Sequence, residues 1–146
     1  MYVDLGLTSG TKWATWDYGA TAVGEIGSYV SCNDQNSKSK RPTQAQAQEL
    51  IDECDWLLRS GGWVVKSKIN NNVLFLSFSG YQRQEVVSGS LMWVTNGKGI
   101  SCGFWTKDSI TYANGNTSYY LLNISIGSFK ISSSVSYKRI VRYVKK

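Results

Sequence analysis

The chain has 146 residues with one proline, 42% hydrophobic and 18% charged side chains. That is enough for one domain burying roughly two thirds of its unfolded surface, and the composition is too apolar for intrinsic disorder. The net charge of +6 is unevenly placed: residues 1–100 carry nine Lys/Arg against nine Asp/Glu, and residues 101–146 carry seven against Asp108 alone. Histidine is absent, which removes the usual general base and the commonest metal ligand. No apolar run approaches the roughly 20 residues of a membrane span.

The chain starts Met1-Tyr2-Val3-Asp4, without the basic, apolar and small-residue order of a leader peptide. The expectation is synthesis without a secretion signal, as for a virion component released by lysis, or origin as a piece of a longer exported protein. Tyr2 to Leu5 and Lys12 to Trp16 read as strands joined by a turn at Gly6 to Gly10. From Asp17 to Arg41 the polar residues and glycines spell loop chemistry, with a short ordered piece near Ser28 to Cys32.

One main helix is predicted over about 43–59. Thr43 and Gln46 form a capping box after Pro42, and Ala47, Leu50, Ile51, Cys54, Leu57 and Leu58 recur at helical spacing. Trp56 points away from that stripe and needs a loop or second layer to pack on. Gly61-Gly62 supplies the stop.

Trp63 to Lys68 and Val73 to Phe78 flank Asn70-Asn71-Asn72 and predict a β-hairpin, because asparagine tolerates positive φ. Residues 82–118 offer many turn formers and few periodic runs, so a long irregular loop region is expected there, with a short strand near Gly103 to Thr106. Ser118 to Ser125, Ser128 to Ser134 and Tyr137 to Val144 read as three closing strands. The reading is a single domain over 1–146, α+β, with small antiparallel sheets.

Several segments carry a resemblance. Tyr2-Val3-Asp4-Leu5-Gly6-Leu7, Ser9-Gly10-Thr11-Lys12-Trp13-Ala14-Thr15 and Gly19-Ala20 look like the opening signature of the Fibrobacter succinogenes major paralogous domain family of Bacteroidetes and their phages. Gly27-Ser28-Tyr29, Arg41-Pro42-Thr43, Glu49-Leu50-Ile51, Cys54, Trp56, Phe75-Leu76, Gly80-Tyr81, Phe104-Trp105-Thr106 and Val141-Arg142-Tyr143-Val144 extend the likeness along nearly the whole chain.

The resemblance implies a C-type-lectin-like fold, related to retroelement-diversified variable proteins and formylglycine-generating enzymes. It also implies that the first and last strands pair and that a long loop region carries the ligand contacts. The chain departs from the family at Trp16-Asp17 and at Val30 to Asp34, where cysteine and acidic elements are usual.

No catalytic set is evident. Cys32, Cys54 and Cys102 are widely spaced; three reduced buried thiols are expected, with one disulfide plus one free thiol as the alternative. Cys102 has no neighbouring Cys or His in sequence to activate it. Asp34, Glu85 and Asp108 are too dispersed for a calcium loop, so neither metal nor cofactor is expected. Arg142 reads as a structural ion-pair residue.

Residues 93–120, by contrast, mix aromatic rings with Asn, Ser and Gly in the manner of binding surfaces. Trp93, Asn96, Lys98, Trp105, Tyr112, Asn114, Asn116 and Tyr119 are the candidate ligand contacts, although Trp105 matches a family position and also reads as core. The expected function is non-enzymatic adhesion to a host-surface glycan or protein from a phage particle or bacterial surface. The alternative is a virion structural or decoration protein contacting other subunits. Nucleic acid is not an expected partner, since few stacking residues interleave with the basic residues Lys130, Lys138, Arg139, Arg142, Lys145 and Lys146.

Overall fold

Strand accounts for 49% of the chain and helix for 10%, so the fold is sheet-rich, built from small antiparallel sheets. The structure, a computed structural model, describes residues 1–146. β1 (Tyr2–Asp4) and β2 (Lys12–Ala14) pair antiparallel, and the last strand returns to the other edge of β2. The chain ends therefore share one sheet, but β2 rather than β1 receives the final strand.

The segment after β2 contains the short helix α1 (Gln35–Lys38), capped by Asp34. Sequence had assigned this stretch to loop. The single long helix, α2 (Gln44–Glu53), starts on the predicted capping box: Gln46 N donates to Thr43 Oγ1 at 3.0 Å and Thr43 N donates to Gln46 Oε1 at 2.8 Å. Its carboxylates hold the β1–β2 connection, with Glu49 accepting from Ser9 N and Oγ and Glu53 accepting from Thr8 N and Oγ1.

The helix ends six residues before the expected 59. Residues 54–59 form β3 (Cys54–Arg59), which turns through Ser60-Gly61 into β4 (Gly62–Ser67). The Cys-Asp-Trp-Leu-Leu-Arg segment satisfies strand alternation as well as helix spacing, and pairing with β4 decides in favour of the strand. In this conformation Trp56 lies flat against Phe129 (centroids 4.3 Å apart) and edge-on to Trp63, while its indole N–H donates to the Leu50 carbonyl.

The hairpin of β4 with β5 (Val73–Ser77) is as predicted, with Asn71 at φ 63° in its turn. Residues 82–118 are not irregular. They form a two-stranded ribbon of β6 (Tyr81–Val87) and β7 (Ser90–Asn96), and then the long strand β8 (Ser101–Thr111). β8 pairs with β9 (Thr117–Ser125), which pairs with β10 (Ser128–Ser134). The third expected closing strand is reduced to isolated pairings of 138–140 and the short β11 (Val144–Lys145). Polar Ser136, Tyr137 at φ 76° and the burial of 140–142 break it.

α2 packs against the β8–β9–β10 sheet. The main core gathers Leu5, Trp13, Leu50, Val65, Leu76, Phe104, Leu122, Ile124 and Ile140, and a smaller cluster holds Cys32, Trp105, Leu121 and Val141. Arg142 is enclosed between them. Its Nε donates to Asp17 Oδ1 at 2.8 Å while Nη2 lies 2.7 Å from the same oxygen in an ion pair, Nη1 donates to Ala14 O, and Nη2 donates to Phe75 O. Burial raises the Asp17 pKa against the opposing pull of Arg142.

Asp17→Asn keeps the shape but leaves the guanidinium as an unmatched buried charge. Denaturant titration is expected to show a loss of about 3–5 kcal/mol. A loss below about 1 kcal/mol would show that the pair holds nothing together.

Candidate functional site

The β6–β7 ribbon departs from the body at Gly80, where the chain must pass close to its own return. A Cβ there would lie 2.2 Å from the Asn96 carbonyl oxygen, and φ is +73°. Its tip is a two-residue turn, Ser88-Gly89, with both φ positive (50° and 79°), the primed geometry that matches strand twist. At the root, Gln82 exchanges backbone hydrogen bonds with Lys138, and Gly80 N donates to Ser101 O. Beyond Gln82 the two strands pair only with each other.

Opposed residues share a face of a two-stranded sheet. Val86 with Leu91, Gln84 with Trp93 and Gln82 with Thr95 occupy one face of the ribbon; Val87, Met92 and the Arg83–Glu85 ion pair occupy the other. The apolar members are left in water: Val86 is 73% exposed, Leu91 64%, Met92 50% and Trp93 40%. The Lys138 ammonium lies 4.3 Å from the centroid of the Trp93 ring. One more cation braces the root: the Arg139 guanidinium lies over Tyr81, Tyr137 and Trp105, with Tyr81 stacked on Tyr137.

The other predicted contact residues are dispersed. Tyr112 (46% exposed), Asn114 and Asn116 form the loop between β8 and β9. There Asn114 Oδ1 accepts from Asn116 N and the Asn116 carbonyl accepts from Tyr112 N. β7 enters β8 at its start and this loop leaves from its end. An eleven-residue strand separates them by roughly 30 Å.

Trp93 and Tyr112 therefore do not form one platform. Trp105, between them, is fully buried, and its indole N–H donates to Val30 O at 2.9 Å, so it is core and not a ligand contact. Tyr119 is occupied by Lys38, whose ammonium donates to its hydroxyl at 2.9 Å. Asn96 Nδ2 donates to Val94 O at the ribbon root. Lys98 lines an open depression of about 310 Å³ with Gly24, Ile26, Ser79 and Gly99.

Sequence reasoning missed the ribbon's aliphatic residues Val86, Leu91 and Met92. The Ser88-Gly89 dipeptide between two runs of residues was the available signal. The C-terminal cations also turn out to be distributed among aromatic faces instead of forming a stripe: Lys138 on Trp93, Arg139 on Tyr81, Lys145 on Tyr2. No helix is long and apolar enough to cross a membrane, and no three Cys, Asp or Glu side chains come together as a metal site. Comparison with protein-family models, with curated proteins and with solved structures finds no match for this chain.

All three cysteines are free and buried. Burial raises each thiol pKa, Cys54 to about 11 and Cys102 further, which suppresses the nucleophilic thiolate. Under native conditions at pH 8 a thiol-specific alkylating reagent is expected to modify none of them, and mass spectrometry should find all three labelled after unfolding. Rapid native labelling of Cys102 would contradict this packing.

Proposed function

We propose that the chain is a non-enzymatic binding module of C-type-lectin-like fold, carried on a phage particle or bacterial surface, which grips a host-surface protein or glycan through the β6–β7 ribbon. The observation that carries this reading is the exposure of Val86, Leu91, Met92 and Trp93 on one projecting hairpin. Val86, Leu91 and Trp93 on one face of the ribbon and Met92 on the other belong to neither core cluster. Exposed contiguous apolar surface marks interaction sites, and a Trp flanked by aliphatic side chains is the composition of an interface anchor.

The lectin-like part of the proposal draws on the resemblance of the opening and closing segments. Two features support it: the chain ends share one sheet, and a single long helix lies against another. The ligand-bearing part is a pair of ordered hairpins instead of an irregular loop, with the Tyr112–Asn116 loop as a separate, more polar contact.

A second reading, a virion structural or decoration protein, is favoured by the free outer edge of β7, whose unpaired backbone groups are a template for another strand. Sedimentation velocity separates the two. A monomer at micromolar concentration removes the assembly reading, and a concentration-dependent dimer that Leu91→Lys dissolves supports it.

For the main reading, host-cell binding is the measurement. Trp93→Ala and Leu91→Ser are each expected to weaken binding about tenfold or more with little change in thermal stability, since both side chains are exposed. Tyr112→Ala is expected to have a smaller effect. Unchanged binding in both ribbon variants would overturn the proposal.

A further inference from the structure

A cleft of about 230 Å³ opens beside the β1–β2–β11 sheet, and its walls include Tyr2, Trp16, Asp17, Tyr18, Gly19 and Tyr143. The volume lies below the ~300–1,000 Å³ usual for drug-sized ligands, so it holds one ring and its substituents.

The local chain is built to keep this shape. Gly27 lets the 27–28 turn press against the floor, since a Cβ there would meet the Tyr18 carbonyl oxygen at 2.4 Å and Asp17 Cβ at 2.7 Å. Ser28 N donates to Tyr18 O, and Tyr18 N donates to Val141 O, both at 2.8 Å. Ala14 N donates to Tyr143 O, fixing the opposite wall. Tyr18 and Tyr143 are tilted against each other with centroids 5.2 Å apart.

Two further observations define the chemistry. First, the buried Asp17 carboxylate is committed to Arg142 through Oδ1 and its Oδ2 is closed to solvent, so the cleft presents no acidic acceptor to a ligand. Second, lysine ammonium groups lie over two of the lining rings, Lys145 over Tyr2 at 4.5 Å and Lys40 over Tyr143 at 5.5 Å. Neither lysine has a carboxylate partner.

We infer that this cleft binds an acidic saccharide. One pyranose face stacks on the aromatic walls, and a carboxylate or sulfate group is held by Lys40 and Lys145. The aromatic rings select a flat apolar face, and the two free cations select an anionic substituent and exclude a cationic ligand. The inference goes beyond the function proposed for the ribbon and does not rest on it, since no residue is shared.

The test is titration of the native protein with trigalacturonic acid, a sulfated heparin disaccharide and neutral maltotriose, read by tryptophan fluorescence and by calorimetry. One or both acidic sugars are expected to bind saturably and to lose affinity as salt rises, and the arm that binds separates carboxylate from sulfate recognition. Lys40→Glu combined with Lys145→Glu, both on exposed side chains, is expected to weaken that binding about tenfold or more without lowering the melting temperature. Tyr143→Ala should weaken it as well, and Trp93→Ala should leave it unchanged. Failure of both acidic sugars to bind at about 10 mM, equal affinity for maltotriose, or indifference to the double charge reversal would each overturn the inference.

Discussion

The Arg142–Asp17 pair is the interaction on which the arrangement of this chain depends. One guanidinium, sealed from water, reaches a carboxylate from the start of the polar 17–41 segment, a carbonyl at the end of β2 and a carbonyl on β5. Ala14 and Asp17 lie three residues apart, whereas Phe75 and Arg142 come from distant parts of the sequence, so one guanidinium ties the N-terminal, middle and C-terminal parts of the chain together. A buried cation of this kind holds them because any displacement leaves a charge or a carbonyl without a partner.

Two further arginines are enclosed, and the interior answers each differently. Arg41 is fully buried without a carboxylate at ion-pair distance; its guanidinium donates to the carbonyls of Ser31, Cys32, Asp34 and Thr106 and to Ser37 Oγ. That crosslinks the short helix α1 and its flanks to β8. Arg139 has aromatic faces instead, Tyr81, Trp105 and Tyr137, and so joins the ribbon root to the second core cluster. Burial lowers the pKa of both. With these clamps in place the polar loop from Asp17 to Arg41 is anchored at both ends, and the ribbon projects from a fixed base.

Local signals were legible where they were strong. The Thr43–Gln46 box, the asparagine turn of the β4–β5 hairpin and the alternation in β9 and β10 depend on residues a few positions apart, and each is found. Arg142 read correctly as an ion-pair residue because a charge within an apolar closing run requires a partner. Residues 54–59 misled because their spacing fits both periods, and the partner strand that decides between them cannot be read from the segment itself.

The ribbon escaped for a different reason: with both faces in water it has no apolar–polar alternation to display. The candidate site inherited that error. Trp93, Trp105 and Tyr112 are close in sequence, yet β8 carries them to opposite ends and into the core. The cleft of Tyr2, Trp16, Tyr18 and Tyr143 joins the two termini, and no local pattern announces such a meeting.

The central claim is that a body clamped by buried arginines presents one uncommitted apolar ribbon to a partner. Hydrogen–deuterium exchange of the protein, free and mixed with host-cell envelope fragments, tests it most directly. The account predicts slow exchange in β2, β4, β8 and β9 in both states, fast exchange over 84–93 in the free protein, and new protection over 84–93 on mixing. New protection confined to other surfaces, with residues 84–93 unchanged, would contradict it.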